Sequence, residues 1–204
     1  MHVAAPSWVG HVRIKRLIEG HPAGRKSCCH HKRVYIGRGF RGGGSLKHDM
    51  NTHAKSGEPR RIFVLADTHN RLPESVKQMA KDADEIWHLG DVCAEAILDE
   101  LRAIGPRVTL VRGNCDSNFD WPLVVDLVRG ELKFRLQHIP PDQPPDDVDV
   151  LLHGHTHVPR NERRGKVLFL NPGCVTRPNR GSPPSVAWLE IANGKINWKL
   201  VSLR

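Results

Sequence analysis

The sequence predicts an α/β fold in which two mixed β-sheets pack face to face and helices lie outside them. Two observations support this prediction. Between residues 61 and 112, short apolar runs alternate with helical patterns, which indicates β-α-β-α-β units and a parallel sheet with right-handed crossovers. After residue 120, six further apolar or alternating runs follow with only loops or turns between them. The expected architecture is therefore a four-layer αββα sandwich.

The predicted strands are short runs rich in Val, Ile, Leu and Phe. A continuous apolar run suits a strand of a parallel sheet, because such a strand is buried on both faces. The last two strands are joined at Asn193-Gly194, a dipeptide typical of a hairpin turn. The expected strands cover residues 61–66, 85–89, 107–112, 123–127, 132–136, 148–152, 167–170, 186–191 and 196–201.

Two amphipathic helices are predicted between the first three strands. The segment 73–80 starts with a proline, whose missing N–H costs little in a first turn, and the segment 94–104 ends at Gly105-Pro106. Apolar residues spaced by three and four positions mark one face of each helix. These faces carry Val76, Met79 and Ala80 in the first helix and Ile97, Leu98, Leu101 and Ile104 in the second.

Residues 1–60, here called the leader, differ in composition from the rest of the chain. The leader contains 12 Lys and Arg against three Asp and Glu, and the remaining 19 basic and 19 acidic residues balance each other. The formal net charge of +9 therefore belongs to the leader. The leader also holds half of the 18 glycines and lacks a sustained apolar period. We expect it to be disordered, because it cannot bury enough apolar surface to offset its chain entropy.

Other interpretations of the leader remain open. Cys28-Cys29-His30-His31 has zinc-ligand chemistry, although four adjacent residues do not easily converge on one tetrahedral ion. A basic, acid-poor leader is also typical of an organellar transit segment, or it could contact nucleic acid. Translation could instead begin at Met50, which is the interpretation we favour. The neutral remainder, 61–204, argues against binding of long nucleic acid, because that mode requires a row of basic contacts.

Several classes of protein are disfavoured by the composition. No apolar run reaches the length of about 18 residues that a transmembrane helix requires, and no secretory signal is evident. The five cysteines have no repeated spacing that would indicate a disulfide framework. We therefore expect a protein of the reducing cytoplasm.

Side chains that bind metals follow five of the predicted strands. Singly they are weak signals, since an Asp or Asn after a strand also suits a turn and a His pair can lie on the surface. Together they are informative, because binding sites of α/β sheets form outside the carboxyl ends of strands. Seven donors, with Asp91 shared, would give each of two ions four protein ligands. The candidate ligands are Asp67, His69, Asp91, Asn114, His138, His155 and His157.

The order of these residues resembles the calcineurin-like metallophosphoesterase superfamily. The matching motifs are Asp67-x-His69, Gly90-Asp91, Gly113-Asn114, His138 and Gly154-His155-x-His157. Two further motifs, Gly113-Asn114-Cys115-Asp116 and Asn171-Pro172-Gly173, are similar to the compact bacterial and archaeal phosphodiesterase branch. This branch also includes the retromer scaffold subunit. Asn171-Pro172-Gly173 is either a turn near the site or a surface turn. The resemblance extends from about residue 61 to the end of the sequence.

The resemblance implies an αββα phosphodiesterase that acts on small or nucleotide-like phosphoesters through two divalent ions and a bridging hydroxide. Mn²⁺ is the expected metal, with Ni²⁺, Fe²⁺, Zn²⁺ and Mg²⁺ as alternatives, and a homo-oligomer is compatible with the family. A non-catalytic or weakly catalytic scaffold on the same fold is the alternative function. The implied ligands are Asp67, His69, Asp91 and His157 for one ion and Asp91, Asn114, His138 and His155 for the other; the implied catalytic residues are Asp91, Asn114, Cys115 and Asp116.

Two departures from the family pattern affect these expectations. Cys115 occupies a position where many members have a His that protonates the leaving group. A thiol is a poorer acid, so a contribution of about 10²–10⁴ to the rate is reduced unless the leaving group is acidic; the thiol could equally be a packed apolar group. His138 is followed by Ile139-Pro140 where members usually have Gly.

The remaining expectations concern residues around the site. Two histidines are expected to orient ligands by hydrogen bonding, and two cysteines to be structural. Two arginines beyond the Asn-Pro-Gly turn either reach a phosphate or lie on a solvated face. These pairs are His88 and His153, Cys93 and Cys174, and Arg177 and Arg180.

Overall fold

The computed structural model describes residues 60–203, which form ten strands and two helices. The expectations about the leader, including disorder, a zinc site at residues 28–31 and a start at Met50, concern residues 1–59, which lie outside the described part; Arg60, the last residue of the leader, is the first residue of β1. No helix within residues 60–203 is both long enough and apolar enough to cross a membrane. The elements are β1 Arg60–Leu65, α1 Glu74–Ala80, β2 Glu85–His88, α2 Glu95–Arg102, β3 Arg107–Leu110, β4 Val124–Arg129, β5 Leu132–Gln137, β6 Val150–Leu152, β7 Arg160–Arg164, β8 Val167–Asn171, β9 Ser185–Ala192 and β10 Lys195–Ser202.

The strands form two five-stranded sheets, with the orders β10-β9-β1-β2-β3 and β4-β5-β6-β8-β7. In the first sheet β1, β2 and β3 are parallel and β9 runs antiparallel to both β1 and β10. In the second sheet β5, β6 and β8 are parallel, and β4 and β7 are antiparallel edge strands. The predicted α/β fold with two mixed sheets is confirmed.

Alternation along β1 shows how the layers are built. Ile62 and Val64 belong to the core between the two sheets, where they join Trp87 and Phe134. The intervening residues of β1 belong to a second core, in which α1 and α2 cover the outer face of the first sheet. Both described helices thus pack on the first sheet. The outer face of the second sheet carries a smaller apolar cluster of Val148, Leu151, Val167 and Phe169.

One strand was not predicted from the sequence. The strand β7 reads Arg-Asn-Glu-Arg-Arg and has no apolar residue to mark an inward face. It lies at the edge of its sheet and pairs only with β8. The guanidinium groups of Arg160 and Arg164 lie 4.4 and 5.6 Å from the centre of the Phe169 ring. Arginine side chains therefore cover the surface that an apolar residue would cover elsewhere.

Candidate metal centre

All seven predicted ligands lie together, in loops that follow strands of both sheets. The first sheet contributes residues after β1, β2 and β3, and the second sheet contributes residues after β5 and β6. Backbone hydrogen bonds join the first-sheet loops, since Asp67 N–H donates to Gly90 O at 3.0 Å and His69 N–H donates to Asp91 O at 3.0 Å. The parallel strands of the two mixed sheets thus place their carboxyl ends at one site, as expected of an α/β fold.

The first group of side chains contains Asp67, His69, Asp91 and His157, whose ligating atoms all lie within 4.8 Å of one another. His157 Nε2 is 3.1 Å from Asp67 Oδ1 and 3.3 Å from His69 Nε2. Two nitrogen ligands about 2.0–2.1 Å from a tetrahedral zinc ion would lie about 3.4 Å apart. The separation of the two imidazoles therefore fits two ligands of one ion.

The second group is centred on Asn114. Its Oδ1 lies 3.1 Å from His138 Nε2 and 2.9 Å from His155 Nδ1. Asp91 faces both groups, because its Oδ2 is 4.0 Å from His69 Nε2 and its Oδ1 is 3.4 Å from His138 Nε2. Asp91 thus occupies the position that a bridging ligand would require.

The hydrogen bonds of the histidines test whether cations fit here. His157 Nδ1 donates to Arg177 O at 2.6 Å and His138 Nδ1 donates to Leu89 O at 2.7 Å. In a neutral ring the proton is then on Nδ1, so each Nε2 directs a lone pair at a carboxylate oxygen. Two lone pairs at this distance repel each other unless a cation or a proton lies between them. The donor set therefore fits divalent ions.

The surroundings of Asp67 also indicate that a cation fits at this site. The residue is fully buried, and neither carboxylate oxygen accepts a hydrogen bond within the described residues as long as His157, whose Nε2 is 3.1 Å from Oδ1, is neutral. A buried carboxylate without partners is costly, so such groups are normally paired or coordinate a metal. A cation between Asp67 and the neighbouring imidazoles would satisfy both oxygens.

The carboxylates control the protonation of the histidines. Burial lowers the pKa of His157, but the Asp67 carboxylate and, after it, the Cys174 sulfur outweigh burial and raise the pKa to about 11. Burial likewise lowers the pKa of His138, and Asp91 with Asp67 raises it above its usual value. For His69, burial lowers the pKa and outweighs the Asp67 and Asp91 carboxylates, which raise it; the charges of His157 and Arg177 lower it further. Protons thus take up part of the negative charge that a metal would otherwise neutralise.

The backbone at the site is strained. Five candidate ligands adopt left-handed conformations that cost non-glycine residues roughly 1–2 kcal/mol each. A position of this kind persists only where the surrounding structure imposes it, and such positions concentrate at functional sites. The five are Asp67 (φ 58°), His69 (φ 43°), Asp91 (φ 56°), His155 (φ 66°) and His157 (φ 57°).

Two motif glycines are explained by close approach to the ligands. A Cβ at Gly113 would overlap the carboxylate of Asp91. A Cβ at Gly154 would lie 2.9 Å from Asp67 Oδ2 and 3.1 Å from Leu89 O. Only glycine leaves room for the ligand side chains at these two positions.

Asp116 connects the loops that carry Asp91 and Asn114. Its Oδ2 accepts the N–H of Asp91 at 3.0 Å and of Gly113 at 2.7 Å, and its Oδ1 accepts the N–H of Cys93 at 2.7 Å. Both oxygens are thus engaged by the backbone. The sequence suggested a catalytic role, whereas this geometry favours a role in positioning Asp91.

The buried histidines and the Asn-Pro-Gly turn also support the site. His88 Nδ1 accepts from Gly90 N–H at 3.2 Å, and burial lowers its pKa to about 3. Burial is also the main effect on His153 and lowers its pKa to about 4. The buried Asn171 donates through its Nδ2 to Gly154 O at 3.0 Å and to Thr156 Oγ1 at 3.1 Å. Of the two readings of this turn, the structure supports the one next to the site.

Cysteines surround the site more closely than the sequence suggested. Cys115 N–H donates to Asp91 Oδ1 at 2.8 Å. Cys93 Sγ is 3.6 Å from His69 Nδ1, and Cys174 Sγ lies within 4.8 Å of ligating nitrogens of His69 and His157. Cys93 and Cys174 were expected to be structural. Their positions have no signature in the sequence, because neither belongs to a regular spacing of ligand-type residues.

The arginines beyond the turn differ in their contacts. Arg177 accepts the His157 hydrogen bond through its backbone, and its exposed side chain is close enough to His69 to affect its pKa. Arg180 is exposed, and its N–H donates to Asn179 Oδ1 at 2.8 Å. Arg177 thus has an electrostatic connection to the site through His69.

Comparison with known proteins gives consistent results. The family model of the calcineurin-like phosphoesterase superfamily domain matches residues 61–194. Phosphodiesterase YfcE of Escherichia coli K12 is 30% identical over 160 residues, covering 64% of this chain and 87% of YfcE. A probable metallophosphoesterase of Methanothermobacter thermautotrophicus is 32% identical over 161 residues, covering 69% of this chain and 91% of the relative.

Solved structures extend the comparison. The structure of YfcE from E. coli has a TM-score of 0.57 and 26% identity, covering 71% of this chain and all of YfcE. Vacuolar Protein Sorting 29 from Cryptosporidium parvum has a TM-score of 0.57 and 25% identity, covering 71% of this chain and 98% of that protein. The fold, the order of the motifs and the family match agree, and the chain belongs to the calcineurin-like phosphoesterase superfamily.

Proposed function

We propose that the protein is a phosphodiesterase that hydrolyses small or nucleotide-like phosphoesters at a centre of two divalent ions. The observation that carries this proposal is the placement of Asp91. One of its oxygens faces the group of His69 and the other faces His138 and the group of Asn114. A side chain with one oxygen towards each of two donor groups suits a ligand shared by two cations.

The seven candidate ligands form two sets, one for each ion. Asp67, His69, Asp91 and His157 would hold one ion, and Asp91 with Asn114, His138 and His155 would hold the other. When bound, the two ions supply Lewis acidity and lower the pKa of a coordinated water. Imidazole, carboxylate and amide donors suit Mn²⁺, Fe²⁺ and Zn²⁺, and Mn²⁺ remains our proposed metal.

Cys115 restricts the leaving groups that the site can serve. Its backbone N–H holds Asp91, and its sulfur accepts a hydrogen bond from Asn114 Nδ2 at 3.4 Å. A thiol at this position donates a proton to an alkoxide less readily than an imidazolium does. Esters with acidic leaving groups, which need little protonation, are therefore the proposed preferred substrates.

A substitution of Asp91 tests the proposal. The purified protein should hydrolyse bis-p-nitrophenyl phosphate with Mn²⁺, and Asp91→Ala should lose the activity and both ions, measured by elemental mass spectrometry. Asp99→Ala is the matched control, because Asp99 lies on α2 and is 73% exposed. Equal hydrolysis by Asp91→Ala and Asp99→Ala would refute the assignment.

A scaffold is the second candidate function. The likeness to Vacuolar Protein Sorting 29 supports it, as do the exposed apolar residues Phe119, Leu123 and Val124. The two functions differ in a measurable way. A protein that holds both ions yet hydrolyses no phosphomonoester, cyclic nucleotide or phosphodiester would favour the scaffold.

Nucleic-acid contact by the basic leader, action in the cytoplasm and homo-oligomer formation remain proposals from the sequence. The first can be tested by comparing the salt dependence of RNA binding between the full chain and a chain that starts at Met50, because each phosphate contact adds to the slope. If the salt dependence of RNA binding were equal for the two chains, the leader would not be the part that contacts RNA.

A further inference from the structure

Two cysteine thiols lie beside the candidate metal centre on different loops. Cys93 follows β2 and Cys115 follows β3. Their sulfur atoms and one ring nitrogen of His69 all lie within 4.8 Å of one another. Both residues are partly exposed, so a small oxidant in solution can reach them.

The backbone around the two thiols is held by a shared set of hydrogen bonds. Asp116, the residue after Cys115, accepts the N–H of Cys93 at 2.7 Å, and Cys115 N–H donates to Asp91 Oδ1 at 2.8 Å. A disulfide needs a sulfur–sulfur distance of about 2.05 Å. The sulfur atoms lie within 4.8 Å of each other, so they must approach by roughly 3 Å at most to form the bond.

We propose that Cys93 and Cys115 are an oxidation site that a hydroperoxide converts to a reversible disulfide. One thiolate attacks the peroxide, the O–O bond breaks, and a sulfenic acid and water form when the peroxide is hydrogen peroxide. The second thiolate then attacks that sulfur, the S–O bond breaks, and a second water leaves. Two thiols thus give up two electrons and two protons, and one peroxide is reduced to two waters.

The bond would disturb both groups of the candidate centre, a consequence that depends on the proposed function. Cys93 Sγ is 3.6 Å from His69 Nδ1, and Cys115 Sγ accepts a hydrogen bond from Asn114 Nδ2 at 3.4 Å. Each sulfur therefore supports a candidate ligand of a different ion. Forming the disulfide moves at least one sulfur from its partner, and loss of such support typically weakens metal binding by about 10–100-fold.

Cys174 provides a contrast. It is buried, its thiol donates to Asp67 O at 3.3 Å, and its sulfur accepts the N–H of Arg177 at 3.0 Å. It groups with His69 and His157, and within the described residues it shares no group with the other two cysteines. Cys174 should therefore stay reduced while the pair oxidises.

Peptide mapping tests the proposal on the full chain. The reduced protein is treated with hydrogen peroxide, alkylated, digested with trypsin without reductant and examined by mass spectrometry. The expected product joins residues 82–102, which contain Cys93, to residues 113–129, which contain Cys115. Cys28 and Cys29 lie in a separate peptide, residues 27–32, and are distinguished by mass.

Variants and metal content complete the test. Cys93→Ser and Cys115→Ser should each abolish the joined peptide, and Cys174→Ser should retain it. Metal content after dialysis should fall in the oxidised protein, and it should recover when the protein is reduced with dithiothreitol and the metal is added again. Sulfinic or sulfonic acid at Cys93 or Cys115 without the joined peptide would overturn the proposal, as would a dominant link to Cys174. Because the link is measured by mass, it stands or fails independently of phosphoester hydrolysis.

Discussion

The two sheets contribute differently to the candidate centre. The loops of the first sheet supply all of its oxygen donors, from Asp67, Asp91 and Asn114, and the loops of the second sheet supply only imidazoles. The first-sheet loops are joined to one another by backbone hydrogen bonds and by the Asp116 carboxylate. The first sheet thus provides the negative charge on a connected frame, and the second sheet completes the two groups with neutral ligands.

Because the first sheet carries the negative charge, we expect substitutions that remove charge to have a larger effect in the first sheet than in the second. We expect Asp67→Asn to lower hydrolysis by about 10³-fold and to remove one ion, because Asp67 and Asp91 are the only anionic residues among the seven candidates. His155→Asn changes a residue of the second sheet and removes a neutral ligand. It should lower hydrolysis by about 10²-fold, tenfold less than Asp67→Asn. Metal titration and bis-p-nitrophenyl phosphate hydrolysis measure both effects.

Asp126→Asn is the control for Asp67→Asn, because Asp126 is 55% exposed on β4. It should retain both ions and full activity. If His155→Asn proved as damaging as Asp67→Asn, charge would not distinguish the two sheets.

Residues that hold the ligand loops in place should have smaller effects than the ligands themselves. Asp116→Ala removes three charge-assisted hydrogen bonds to the backbone of the first-sheet loops. Asn171→Ala removes only neutral ones, which include those to Gly154 O and Thr156 Oγ1 beside His155 and the one that its Oδ1 accepts from Gly173 N–H. We expect metal affinity to fall by about 100-fold in Asp116→Ala and by about tenfold in Asn171→Ala. Excess metal should restore much of the activity in both variants, whereas a lost catalytic group would not be rescued.

The two sheets each contain a buried histidine that makes the stability of the fold sensitive to acid. The folded-state pKa is about 3 for His88, in the first sheet, and about 4 for His153, after β6, and burial is the main cause for both. Both values lie below the unfolded value of about 6.5. Each histidine therefore contributes stability that is present above pH 6.5 and is lost as the pH falls towards its folded pKa.

Urea unfolding of the metal-free protein between pH 4 and pH 7 measures this effect. Over that interval, each histidine should make the unfolding constant rise up to about tenfold per unit of acidification. His88→Asn should flatten the profile at least as much as His153→Asn, because His88 has the lower pKa. Unchanged slopes in both variants would show that other groups control acid unfolding.

The sequence predicted more of the site than of the supports around it. The seven candidate ligands could be identified because each stands at the end of an apolar run, and the structure brings them together. Asp116, Asn171 and Cys93 act through contacts with the backbone or with a ring nitrogen of a distant residue. Such contacts join residues far apart in the chain and leave no periodic pattern.

The strands of the fold show the same difference. The strands with apolar residues were found, and β7 was missed because arginine side chains replace its apolar face. Its pairing is set by the neighbouring β8 and by the turn at Gly165, which has a φ of 59°. An edge strand that is covered by cation–π contacts cannot be recognised by hydrophobic periodicity.

The smallest predicted effect concerns Arg177, which extends the comparison to substrate charge. Its backbone carbonyl holds His157, and its exposed guanidinium adds a positive charge near His69. Arg177→Ala keeps the carbonyl, so metal content should not change, and only attraction for an anionic phosphoester should be lost. An exposed charge pair contributes at most about 1 kcal/mol, so KM should rise by up to about fivefold with little change in kcat.

Ionic strength separates this Coulombic effect from a structural one. The Debye length falls from about 10 Å at 0.1 M salt to about 3 Å at 1 M salt, so the difference in KM between wild type and Arg177→Ala should shrink as salt is added. Arg102→Ala, at a residue that is 62% exposed on α2, serves as the control and should leave KM unchanged at every salt concentration. A KM difference that persists at 1 M salt would mean that the Arg177 side chain shapes the loop around His157, and the second sheet would then contribute no charge to substrate binding through this residue.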